Sequence, residues 1–215
     1  RSLFLTHVKK KKRYWSDYKK LLGRVSHITH DWLTPAEYIP YIAALLGEID
    51  LDPCSTYNAN AQFLRARKIY TLDDDGLNID DPWTGKTYLF PPTYGRCSFS
   101  KVRGTWRWSS SAGAGAKAPS IIWFQRLVRE WKLRNIPEAL FFTTYTEMMR
   151  ICPEMWDYPV CIPKDKANLI HGEGLFTLKT PISWGYFIYL PELKYGFDQT
   201  DKFRDIFSNI GKVIA

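Results

Sequence analysis

Lys86 to Phe90 reads as a short buried strand, and Pro91-Pro92 ends it. Two consecutive prolines supply no amide hydrogens and hold φ near −65°, so the chain cannot continue through the interior of a sheet. The strand must therefore stop at a sheet end and turn. In open α/β sheets that is where ligands sit, beyond the carboxyl ends of the strands. Phe90, Pro91 and Pro92, with Thr93 and Tyr94 behind them, are the first candidate site.

The rest of the chain alternates in the same style. Thr34-Pro35-Ala36-Glu37 reads as a helix start, with Thr34 as N-cap, Pro35 as first helical residue and Glu37 completing a capping box. Tyr38, Ile39, Ile42, Leu45 and Leu46 supply the apolar stripe, and Gly47 the stop. Ile49 to Cys54 reads as a strand and turn, Asn58 to Tyr70 as partly helical, and Thr71 to Trp83 as an acidic loop. Helical spacing returns over Ile121–Arg134 and over Glu147–Met155. Strands are expected at Ala139–Thr143, Val160–Ile162 and Trp184–Leu190, and a closing helix over Asp201–Ile210. Alternating strands and helices predict an α/β fold, a mainly parallel sheet flanked by helices.

A length of 215 residues suits one such domain, and 45% hydrophobic content supplies its core. There is no run of 18 apolar residues, so no membrane span is expected. The first residues carry no secretory signal pattern, and the absence of an initiator Met reads as a trimmed or partial chain. Cys54, Cys97, Cys152 and Cys161 form no CxxC pair, and His27 and His30 lack a third ligand. The expectation is free thiols in a reducing intracellular compartment and no metal. The net charge of +8 points to a polyanionic partner.

Residues 1–30 form a basic arm around Lys9-Lys10-Lys11-Lys12-Arg13, leaving 31–215 as the folded domain. Residues 95–119 read as a flexible insertion. Arg96, Lys101, Arg103, Trp106, Arg107 and Trp108 interleave cations with aromatic rings, ahead of a Ser/Ala/Gly run. That pattern suits phosphate contact with base stacking, or equally the anchoring of a loop on its own domain or a protein partner.

Asp52-Pro53-Cys54-Ser55 falls at a second strand end and shares the crevice with the Pro-Pro turn if the two strands are neighbours. Read alone, Asp-Pro after a strand is an ordinary turn, and Asp73-Asp74-Asp75 an ordinary solvated loop. The order is more specific. Trp32-Leu33-Thr34-Pro35, Leu51-Asp52-Pro53-Cys54-Ser55, Asn58-Ala59, Asp75-Gly76-Leu77, Trp83-Thr84-Gly85 and Phe90-Pro91-Pro92 follow one another as a series. That series resembles the phage-type DNA N6-adenine methyltransferase (Dam) family, over roughly residues 31–190.

The resemblance implies a Rossmann-like class I methyltransferase sheet and S-adenosylmethionine as cofactor. It would place Thr34 and Pro35 at the border of the cofactor pocket. Asp52, Pro53 and Cys54 would form its strand end, with Asp75, Gly76 and Leu77 near the adenosine. In that family a polar residue, Pro-Pro and an aromatic hold and stack the target base. Here Phe90 stands in the polar position and the aromatic comes one place late, as Tyr94. The motif is degenerate, so two readings stay open: a DNA adenine methyltransferase, or an inactive subunit of that fold that binds nucleic acid or scaffolds a larger complex.

Overall fold

The computed structural model describes residues 32–93, 95–101, 104–109, 115–171, 183–192 and 199–215. The basic arm, Tyr94 and Arg103 lie outside them. In chain order the strands are β1 (Trp32–Leu33), β2 (Leu51–Asp52), β3 (Lys68–Ile69), β4 (Thr87–Leu89), β5 (Arg96–Ser100) and β6 (Thr105–Ser109). They continue as β7 (Ala139–Thr143), β8 (Val160–Pro163), β9 (Ile170–His171), β10 (Tyr186–Leu190) and β11 (Gly211–Ile214). The helices are α1 (Ile39–Leu46), α2 (Tyr57–Ala59), α3 (Pro119–Lys132), α4 (Met148–Ile151) and α5 (Thr200–Phe207).

Seven strands form one sheet in the order β11-β8-β10-β7-β4-β2-β3. β3, β2, β4 and β7 are mutually parallel, whereas β10, β8 and β11 join through antiparallel pairings. The expected sheet is thus parallel in one half only. A parallel neighbour needs a crossover layer, and no helix among the described residues lies between β8 and β10. β10 therefore returns antiparallel between β7 and β8.

The central strands are buried on both faces; all five residues of β7 and all five of β10 are inaccessible. Alternate side chains point to opposite faces. Phe141 meets Phe124 of α3, with ring centroids 5.2 Å apart. The next residue, Phe142, meets Tyr38, Phe90 and Phe187 on the other side. That second layer continues through Phe187, Phe207 and Phe203 to Tyr189, where α1 and α5 cover the sheet.

Two local expectations are corrected. Thr34 does not cap a helix: its hydroxyl bonds the Tyr88 phenol at 2.8 Å, and Glu37 accepts the Asn168 amide instead of closing a capping box. Pro35 precedes a 3₁₀ turn, Ala36–Tyr38, and α1 starts only at Ile39. A buried phenol without a partner costs more than an uncapped turn facing solvent. The 95–119 insertion is also not a plain loop. β5 and β6 pair over their full length, Arg96↔Ser109 to Ser100↔Thr105, and Lys117 bridges Cys97 on the outer side of β5. Its basic–aromatic interleaving is the two-residue alternation of a hairpin, with Cys97 turned to the core and Arg96 to solvent.

Candidate functional site

β2 is followed in sequence by β3 on one side of it, and then by β4 on the other. The strand order reverses between β2 and β4, which opens a crevice beyond their carboxyl ends. A cavity of about 360 Å³ occupies this switch point, within the range of small-molecule sites. Asp52, Pro53 and Cys54 enter it from β2, and Phe90, Pro91 and Pro92 from β4. Thr34, Asp75 and Gly76 complete the part anticipated from sequence.

Asp52 dominates the electrostatics. It is 3% exposed, and its Oδ1 accepts the Cys54 amide at 3.1 Å. Burial pushes its carboxyl up to about 6, although the Cys54 amide opposes the shift. No cation pairs with this carboxylate among the described residues. A buried acid of this kind is most stable when a ligand brings it an ammonium group or hydroxyl donors.

The acidic loop reaches the cavity through Gly76. A Cβ there would stand 2.3 Å from the Pro53 carbonyl oxygen and 2.9 Å from Trp123 Cη2, so only glycine fits. Trp83 donates its indole N–H to the Gly76 carbonyl at 3.0 Å and stacks on Trp123 at 6.1 Å. Asp75, in the left-handed region at φ 53°, is thereby turned into the site. Its Oδ2 lies 3.5 Å from Arg107 Nε on the hairpin.

Not every anticipated residue lines the cavity. Pro35 is buried next to Thr34 but outside it, and the Leu77 side chain lies in the core, 2% exposed. The Leu77 backbone does matter: its carbonyl accepts the Thr105 hydroxyl at 3.0 Å, which anchors the hairpin. Arg107 lines the cavity wall. Arg96 and Lys101 are solvent-exposed away from it, and Trp106 leans on the core.

Trp32 and Trp108, which stand in the motif series and in the basic–aromatic segment, line the cavity together with residues not anticipated from sequence: Phe63, Leu64, Tyr70, Leu72 and Trp123. Their signal in the sequence is only aromatic abundance, because three-dimensional proximity rather than spacing gathers them. The walls are flat and apolar, the floor carries a carboxylate, and a second carboxylate sits at the rim. That arrangement suits a small ligand with an apolar body and hydrogen-bond donors at one end.

At the Pro-Pro turn, Phe90 is 7% exposed, and its ring packs against Phe142. Its side chain offers no hydrogen-bond acceptor to the cavity. All four cysteines are free thiols, and burial pushes Cys97 and Cys161 up to about 12. Among the described residues there is no His/Cys/Asp/Glu group able to hold a metal and no helix long and apolar enough to cross a membrane. Comparison with known proteins returns no matching family model, no matching curated protein and no matching solved structure.

Proposed function

We propose that this chain is a methyltransferase-fold protein that binds S-adenosylmethionine at the β2/β4 switch point and is weakened or silent in methyl transfer to an adenine amino group. The observation that carries the reading is the single cavity lined both by Asp52-Pro53-Cys54 and by Phe90-Pro91-Pro92. The sheet supports it at fold level, by analogy only: an antiparallel strand, β10, inserted beside the parallel set is compatible with a class I methyltransferase sheet.

Bound there, S-adenosylmethionine would supply an electrophilic methyl group. Asp52 would hold an ammonium or hydroxyl end of such a ligand, and Trp123 with Phe63 would enclose its adenine. Asp75 would take its remaining hydroxyls. The Pro91-Pro92 turn would present backbone carbonyl oxygen to the amino group of a target base, leaving the amino nitrogen lone pair free for in-line attack. Phe90 removes the second acceptor at this point. Losing one such hydrogen bond in a transition state costs about 2–4 kcal/mol, a hundredfold or so in rate.

A non-catalytic role in a larger complex is the second reading, and the Phe90–Phe142 packing favours it, since the substituted ring is built into the core. Two measurements separate the cases. Isothermal titration with S-adenosylmethionine should saturate at one site per chain; no heat and no shift in melting temperature would sink the cofactor-binding reading and leave the non-catalytic one. Methyl transfer from labelled cofactor to unmethylated DNA should then be near background for the wild type and higher for Phe90→Asn. Wild-type turnover equal to that of the variant would remove the claim that Phe90 impairs transfer.

A further inference from the structure

One face of the β5–β6 hairpin carries a feature that the cavity does not use. Alternation puts Cys97 and Phe99 of β5 and Trp106 and Trp108 of β6 on that face. Cys97 is buried and Trp108 lines the cavity, but Phe99, at the far end, is 51% exposed. Trp106 braces it edge-on, with centroids 5.6 Å apart at 68°, and itself leans on the core. Lys117 Nζ stands 5.3 Å from the Trp106 ring centroid, held there by the two backbone bonds between Lys117 and Cys97. The result is a braced aromatic pair with a cation over the Trp106 ring.

The charge around it is one-sided. From Thr93 to Lys117 the sequence has five Lys or Arg residues and no Asp or Glu. Arg96 and Lys101, on the same hairpin, are exposed. An exposed ring close to Lys117 and Lys101, on a hairpin whose neighbour Asp75 is paired with Arg107 at the cavity, matches one ligand chemistry well: an unpaired base for the ring and phosphates for the free cations. A protein partner would be expected to meet a more apolar patch and acids as well as bases. A duplex buries its base faces and has none to offer Phe99.

We propose that Phe99, braced by Trp106 and flanked by Lys117, is a stacking site for an unpaired nucleotide of a single-stranded nucleic acid. Trp106 and Trp108 are two residues apart on β6, roughly 7 Å, so Phe99 and the cavity-lining Trp108 share one face of the hairpin. The site does not depend on the cavity's ligand, and its failure leaves the cofactor reading untouched.

The test is fluorescence anisotropy with labelled dT12, U12 and a 12-base-pair duplex on the full chain at several salt concentrations. Comparison of variants within the same chain cancels the contribution of the basic arm. Both single strands should bind more tightly than the duplex at equal salt; whichever of dT12 and U12 binds better names the natural strand, and equal binding means that the ring ignores the 2′-hydroxyl. Phe99→Ala should weaken single-strand binding at least about fivefold and leave duplex binding unchanged. Phe99→Trp should retain binding, which separates stacking from loss of fold. Lys117→Gln should flatten the single-strand salt slope by about 0.7. Preference for the duplex, no binding of either strand, or an unchanged Phe99→Ala affinity would each overturn the proposal.

Discussion

Phe90 and Phe142 pack ring against ring, 4.9 Å between centroids, across neighbouring parallel strands. Phe142 in turn touches Tyr38 and Phe187, so the residue before the Pro-Pro turn is the end of an aromatic chain through the core. Phe90 is thus part of the packing, and a polar residue in its place has consequences for stability as well as for the chemistry proposed.

Phe90→Asn should destabilise the fold by about 3 kcal/mol, since it removes a buried ring and sets an amide beside Phe142. A melting temperature lower by about 6–12 °C is expected for a chain of this size. Under the proposed function the same variant gains methyl transfer. A variant as stable as wild type would show that Phe90 is not a core residue.

Asp52 should make stability and ligand affinity respond to pH in opposite senses. Its folded carboxyl is pushed up to about 6, above its ordinary value of 3.8. The folded state therefore binds the proton more readily than the unfolded chain. Stability is highest below about pH 4 from this group and declines as pH rises through about 6. Asp52→Asn should be more stable than wild type at pH 7, by up to about 3 kcal/mol, with the advantage vanishing near pH 4. Affinity for a ligand ammonium group should instead fall as pH drops through about 6, because only the ionised acid pairs with it. Urea titrations and calorimetry at pH 4, 6 and 8 check both slopes.

Gly76→Ala should disturb the site from behind. The new methyl would lie 2.3 Å from the Pro53 oxygen, a backbone atom that cannot move aside cheaply. Destabilisation of about 1–3 kcal/mol is expected from overpacking, with ligand affinity reduced as Asp75 is displaced. Gly104→Ala, where nothing lies within 4 Å, is the control for a hairpin glycine, although its φ of +65° adds some strain of its own. Equal effects at the two glycines would contradict the close-approach explanation.

Thr34→Val should strand the Tyr88 hydroxyl, which is fully buried and bonds Thr34 at 2.8 Å. The cost should be about 1–3 kcal/mol. Adding Tyr88→Phe to Thr34→Val should recover part of it, and a double-mutant cycle measures the coupling. Additive losses would mean that the two hydroxyls do not depend on each other.

The predicted strand Ala139–Thr143 has the observed bounds, and Ile121–Arg134 falls on α3 within two residues at each end. Both are long or strongly apolar segments whose burial pattern follows directly from side-chain order. Short elements were less visible. β3 is two residues, too brief for a period to show, and exists at the sheet edge because β2 supplies its partner, whereas the equally short β2 falls within the strand and turn expected over Ile49 to Cys54. The β11 strand was not anticipated, since Gly211–Ile214 pairs with β8 from far away in sequence.

By itself the sequence determined where strands had to stop, above all at Pro91-Pro92, and which residues stood at those ends, because missing amides and fixed φ angles act locally. It also determined that the position before the prolines has no acceptor. Only the tertiary structure decided that Asp52 and Phe90 share one cavity, because that depends on β4 lying beside β2. The fold likewise decided that Thr34 bonds Tyr88 rather than a helix end, and that the basic–aromatic insertion is a hairpin forming a wall of the site. Each of these contacts joins residues distant in sequence, and the free energy that selects them is that of the assembled core.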